Sequence, residues 1–290
     1  MLDSNITAQE FLVIRDYIHL ISGIFLHPEK EYLVKQRLSS IFDKLAVKSF
    51  LELALAIQKG QINNSQKEWI ITAITTNETF FFRDIHPFDA LKSTILPQLY
   101  DESKRNGAVF PKIKIWSAAA STGQEAYSIA ITIDEFLDEN KLPKTQFHNF
   151  QIIATDIDNV SLEYAKLGIY NSLEISRGLS QQHKNKYFTK TNDKWSINEN
   201  LKKIIQFRKL SLHENLHLQN NLPTFDLIFA RNVLIYFDDS TRFKIIQNLY
   251  KRLEKSGFLV LGSAESIYGL NLPFLSSTIG NSIFYKPTNY

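Results

Sequence analysis

The chain has 290 residues, 44% hydrophobic and 22% charged, with a formal net charge of +3, a balance that excludes intrinsic disorder and any global basic field for nucleic acid. No apolar run reaches the roughly 20 residues that span a bilayer, so no membrane insertion is expected. The absence of cysteine excludes disulfides, thiolate nucleophiles and Cys-ligated metals; the seven histidines show no HExxH-type spacing, so no metal is expected.

The length suits a medium α/β domain with a small partner, and two domains are expected. The opening MLDSNITAQEF carries an early Asp and no apolar core, so a cytoplasmic protein without signal peptide or anchor is expected. Thr7 to Glu10 and Ser65 to Glu68 each match a capping box ahead of apolar residues at helical spacing. Between them, Pro28 suits a first helical position, and the Ala/Leu-rich stretch Phe50 to Ile57 stops at Gly60. Residues 1–75 therefore read as an all-α domain of four helices. Residues 76–105 read as a linker and a connecting helix opened by Asp84 or Pro87, and Arg105 to Pro111 as a polar link.

From Ile113 onward strands alternate with helices, the signature of βαβ units and a parallel sheet, so residues 106–290 read as an α/β Rossmann-like domain. IKIWSA precedes a helix over 123–138. QIIATDID (Gln151 to Asp158) precedes a helix over 159–167, and FDLIFARN (Phe225 to Asn232) one over 239–253. GFLVLGS and NSIFYK supply two further strands. The stretch from about 169 to 205 breaks the rhythm. It is polar and basic, with β-like pieces at Lys186 to Thr189 and Lys194 to Ile197, and reads as an insertion with a small antiparallel β-subdomain. Its lysines could dock an acidic partner or merely keep the insertion solvated.

The run from Ser117 to Gly123 places nothing larger than a hydroxyl beside the backbone at a strand-to-helix turn, where a ligand can approach the main chain and free helix N–H groups favour an anionic group. Asp156, closing the second strand, is placed to accept hydrogen bonds from ribose hydroxyls, whereas Asp158 is better placed to cap the next helix. GxGxxG is absent, which favours S-adenosylmethionine over a nicotinamide or flavin. In TNETFFFRD (Thr76 to Asp84), Asn77, Thr79 and Arg83 suit a polar lid, while Phe80, Phe81 and Phe82 suit interdomain packing, with one flanking a cofactor. In FARNVLIYFD, Arg231 and Asn232 would be costly to bury unless they meet a ligand or each other, and Tyr236 is a third polar member.

Together TNETFFFRD, WSAAASTGQEAYSIAI, ATDID, AKLGIY, FDLIFARNVLIYFD and GFLVLGSAES, in this order behind a helical domain, closely resemble the CheR family of chemotaxis receptor methyltransferases from about residue 5 to 286. The resemblance implies a class I S-adenosylmethionine-dependent methyltransferase fold and a protein-glutamate O-methyltransferase. Such an enzyme converts receptor glutamates to methyl esters in sensory adaptation and leaves S-adenosylhomocysteine. It implies a cofactor site formed by Asn77, Thr79, Arg83, Ala119, Glu125, Asp156, Ser211, Leu212, Arg231 and Asn232, with Arg83 and Tyr236 facing the methyl acceptor. Ser211-Leu212 stands where the family commonly has Asn-Leu. The insertion resembles the family's β-subdomain, but TKTNDKWS lacks a Gly-rich loop, so action without a tethered receptor pentapeptide is expected. The expected partner is the cytoplasmic helical domain of a receptor, met by a monomer through Lys30, Lys35, Arg37, Lys44 and Lys48, although residues 1–75 balance eight basic against eight acidic side chains. Two other readings remain: a methyltransferase of this fold with another substrate, and a non-catalytic cofactor-sensing module.

Overall fold

The computed structural model describes residues 5–105, 112–214 and 222–288; most of the expected polar link at 105–111 lies outside them. The N-terminal helices are α1 (Ala8–Ser22), α2 (Glu31–Ser39), α3 (Phe42–Leu45), α4 (Phe50–Gln58) and α5 (Asn64–Ile74). Thr7 closes its capping box with Glu10, and Pro28 opens a short 3-10 turn ahead of α2. The second box differs from the expected one: Asn63 and Gln66 cap α5, two residues before Ser65 would. The expected four helices become five because Ala46 adopts a left-handed φ of 56°, which closes α3 as a separate turn. Their apolar faces share one core around Phe11, Val34, Leu38, Phe50 and Ile70.

Helices α6 (His86–Ala90) and α7 (Leu96–Arg105) are joined by a π-helical turn over Leu91–Ile95. Pro97 follows directly and donates no backbone hydrogen bond, so the widened turn falls where the ladder is already interrupted. The main sheet contains β1 (Ile113–Ala118), β2 (Phe150–Asp156), β6 (Ile205–Lys209), β7 (Phe225–Ala230), β8 (Leu253–Leu261), β9 (Phe274–Ile279) and β10 (Ser282–Pro287). Their order is β6-β2-β1-β7-β8-β10-β9, parallel except for β10 and β9. Helices α8 (Gln124–Glu139), α9 (Asn159–Leu167) and α13 (Asp239–Arg252) connect them. Both faces of the sheet are covered. Ile115, Ile152, Leu227 and Phe258 point into one core with α8, and their neighbours Trp116, Ile153, Ile228 and Leu259 into the other with α13, the period of two along each strand.

The insertion holds β3 (Ile169–Asn171), α10 (Ser172–Ser176), α11 (Gln181–Tyr187), β4 (Phe188–Thr191), β5 (Lys194–Ile197) and α12 (Glu199–Lys202), its strands forming a small antiparallel sheet in the order β3-β5-β4. Sequence reading missed β3, β6 and β9. IQFRK alternates apolar with polar residues at the end of a basic stretch, and FLSSTI is an exposed edge strand; neither shows the apolar run that marks a buried strand. No helix among the described residues is long and apolar enough to cross a membrane.

Candidate active site

A cleft of about 990 Å³, counting the part open to solvent, lies at the carboxyl ends of β1, β2 and β7, where open α/β sheets bind their ligands. Its walls bring together Asn77, Thr79, Arg83, Ala119, Glu125, Asp156, Ser211, Leu212, Arg231, Asn232 and Tyr236. Ser22, Ile24 and Ile74 to Thr76 also line it, so the helical domain supplies one wall, a contribution that the sequence reading did not assign.

The floor is the bend after β1. Ala119 and Ser121 adopt left-handed φ of 60° and 50°, and Gly123 opens α8 with φ of 96°. A Cβ on Gly123 would sit 2.9 Å from that of Ala165, so close packing of α8 on α9 and the turn itself both require glycine. Asp156 is buried beside this bend, one oxygen accepting the Ser121 N–H at 2.8 Å and the other the Asp158 N–H at 2.9 Å. Burial pushes its carboxyl up to about 6, against the pull of those backbone donors. Asp158, as expected, caps α9 through Val160 and Ser161, but it also accepts from Thr72 at 2.7 Å and from the Asn77 amide at 3.1 Å. It therefore ties α5 and the linker to the sheet, a role that a cap motif alone did not disclose.

Glu125, in the first turn of α8, accepts from the Ser117 hydroxyl at 2.8 Å and from Arg231 at 3.2 Å. Burial raises its pKa, and Arg231 partly offsets this. Arg231 meets neither Asn232 nor solvent: it bridges Glu125, the Asp84 carboxylate at 2.8 Å and the Arg83 carbonyl at 2.8 Å. Asn232 is left-handed, with φ of 57°. Glu265, which sequence reading passed over within GSAES, accepts the N–H groups of Asn232, Leu234 and Gly262 at 2.7 Å each. Ser211 is paired with His213 at 2.6 Å.

Phe81 and Phe82 do not supply the expected interdomain packing but join the core of the sheet domain and its insertion: Phe81 packs edge-on against Tyr170 and Phe188, and Phe82 stacks on His183 at 4.6 Å. Phe80 lines the cleft with Arg83 and Arg177 at 5.6 and 4.6 Å from its ring centre. Arg83 also donates to the Glu78 carbonyl at 2.9 Å. Tyr236, half-buried in a 3-10 turn, accepts the Phe25 N–H at its carbonyl, which brings this loop against the end of α1.

The site thus presents one buried and one mostly buried carboxylate beside a small-residue bend, with an arginine and a tyrosine lining the same cleft of nucleoside size. The carboxylates suit ribose hydroxyls and an ammonium, and the open backbone of the bend accommodates close approach, so these residues fit S-adenosylmethionine. With the order of the sheet, they define a class I S-adenosylmethionine-dependent methyltransferase. Residues 9–71 match the family described as CheR methyltransferase, all-alpha domain, and residues 77–280 that described as CheR methyltransferase, SAM binding domain. The chain is 35% identical to chemotaxis protein methyltransferase Cher2 of Pseudomonas putida, covering 93% of this chain and 94% of that one. It is 37% identical to chemotaxis protein methyltransferase 1 of Pseudomonas aeruginosa (90% and 91% covered) and 36% identical to chemotaxis protein methyltransferase 1 of Vibrio cholerae (97% and 98%). The chain belongs to the CheR methyltransferase family and is an S-adenosylmethionine-dependent methyltransferase.

Proposed function

We propose that this enzyme methyl-esterifies glutamate side chains in the cytoplasmic helical domain of chemotaxis receptors, acting as a monomer in the cytoplasm. The observation that carries the reading is that Arg83 and Tyr236 share one cleft with Glu125 and the buried Asp156, in a family whose relatives are named chemotaxis protein methyltransferases. S-Adenosylmethionine, when bound, supplies an activated methyl group on a positively charged sulfur. Asn77, Thr79, Ala119, Glu125, Asp156, Ser211, Leu212 and Asn232 hold it, with Asp156 taking the ribose hydroxyls and Glu125 the ammonium.

A glutamate carboxylate is already ionised at neutral pH, with a reference pKa near 4.3, so the site needs no general base. It needs alignment and exclusion of water. Arg83 holds the attacking carboxylate by one oxygen, leaving the other nucleophilic, and the Tyr236 hydroxyl donates to the same group. Phe80 and the α1 end narrow the mouth. Residues 1–75 form the docking domain, 76–105 the connection and 106–290 the catalytic domain. Within the docking face, Lys30, Lys44 and Lys48 are exposed. Arg37 is not part of that face: its guanidinium donates to the Ile74 and Thr75 carbonyls at 2.6 and 2.9 Å and to Thr76 at 3.0 Å. The β4–β5 turn at Asn192 and Asp193 is a two-residue hairpin, too short for the Gly-rich loop associated with tethering, which supports action without a receptor tail.

Incubation with methyl-labelled cofactor and receptor membranes, followed by mild alkali, should release labelled methanol. Label that resists alkali would identify another acceptor, and cofactor binding without incorporation would identify a sensing module.

A further inference from the structure

The strap that presents Arg83 is strained. Phe82, Asp84 and Ile85 have φ of 50°, 66° and 37°, in a region that side chains with a Cβ avoid and β-branched ones avoid most. Three such residues within four positions persist only where the surroundings over-determine them. On one side the Phe82 N–H donates to Ser128 at 2.9 Å. On the other stands Arg231, its side chain only 1% exposed, with both hydrogens of Nη2 committed to the strap: one to the carbonyl of Arg83 itself, the other to Asp84. Nη1 reaches Glu125 on α8.

We propose that Arg231 is a positioning residue whose ion pair with Asp84 holds the strained strap that aims Arg83 into the cleft, and whose bond to Glu125 ties that aim to the cofactor wall. The role rests on the reading of Arg83 as the acceptor-facing group. Guanidinium geometry suits it: a planar fork serves three oxygens on two separate elements, whereas a lysine offers a point charge. A cation buried so completely also requires fixed counter-charges, and Asp84 and Glu125 provide them from opposite sides. Asp84 does not line the cleft although Arg83 and Arg231 do, so a substitution of Asp84 leaves every side chain that lines the cleft in place.

Asp84→Asn in the full chain removes the charge and keeps the shape. The expected result is at least tenfold faster hydrogen exchange at the Phe82, Ile85 and His86 amides, S-adenosylhomocysteine affinity within twofold of wild type, and kcat at least tenfold lower with KM for S-adenosylmethionine unchanged. Asp84→Glu, which restores the charge, should recover part of both losses. Unchanged exchange in the strap overturns the proposal, as does a loss confined to cofactor affinity, which would make Arg231 a direct ligand. If Asp84→Asn does not fold, exchange in Arg231→Lys decides, since a point charge cannot serve the three oxygens of the fork, and wild-type rates in the strap there overturn the proposal. A wild-type enzyme that esterifies no receptor would fail the functional reading alone, since exchange in the strap requires no methyl acceptor.

Discussion

Arg83 and Asp156 both line the cleft, and their substitution should separate turnover from binding. Arg83→Ala removes the orienting cation while the bend and both carboxylates remain. Methyl transfer should fall on the order of a hundredfold, whereas calorimetry with S-adenosylhomocysteine should show only a few-fold change in Kd; equal losses would contradict the assignment. Asp156 makes the opposite prediction. Its carboxyl titrates near 6 because burial disfavours the charged form, and hydroxyl groups donated by a ligand stabilise that charged form, lowering the bound-state value. Affinity should therefore rise with pH up to about 6 and level off above it, and fall by at most about tenfold per pH unit below. Asp156→Asn should flatten the profile and weaken binding by about 2 kcal/mol, roughly thirtyfold in Kd. A wild-type profile that is flat between pH 5 and 8 would remove Asp156 from the ligand set.

Among the elements, the insertion does more than decorate the sheet. Gly178, between α10 and α11, has φ of 85°, and a Cβ there would lie 1.7 Å from the Phe81 carbonyl oxygen. Around it, Arg177 pairs with Glu78 and covers Phe80, Phe188 meets Phe81, and His183 stacks on Phe82. The insertion therefore clamps each phenylalanine of the strap. Gly178→Ala combines a forbidden contact with a strained φ and should cost more than about 2 kcal/mol, visible as a lower melting temperature together with slower methyl transfer. An unchanged melting curve would refute the clamp. This contact was not legible beforehand, because nothing in a polar, basic stretch announces which distant backbone it will meet. Elements with strong periodicity were legible: α9 occupies 159–167 as expected, and β1 and β7 fall where the apolar runs lie. The bend at 117–123, Asp156 and the polar residues of the strap stood out because small or polar residues interrupt apolar runs there, and Asn77, Thr79, Arg83, Ala119, Ser121 and Asp156 line one cleft. Asp84, Glu265 and the second task of Asp158 did not stand out, since charges that serve backbone or buried partners look like surface charges in one dimension.

Across the whole molecule, the two domains are fastened at a few polar points. His19 on α1 meets Asp238 at the start of α13 at 2.9 Å, Thr72 on α5 meets Asp158, and Lys209 on β6 pairs with Glu68. Asp158 matters most of these because it is 1% exposed and serves four donor groups besides its own helix cap's first amide. Asp158→Ala should cost on the order of 3 kcal/mol and weaken cofactor binding through the released Asn77. A stability loss with unaltered cofactor affinity would show that the domain junction and the cleft are independent.

The helical half contributes Ser22, Ile24 and Thr75 to the same hollow that β1, β2 and β7 open into. Whatever occupies that hollow is gripped by both halves at once, so part of its binding free energy acts as glue between them. In scanning calorimetry, two overlapping heat-absorption peaks from the apoprotein should merge into one sharper peak as S-adenosylhomocysteine is added, with the earlier-melting half gaining most.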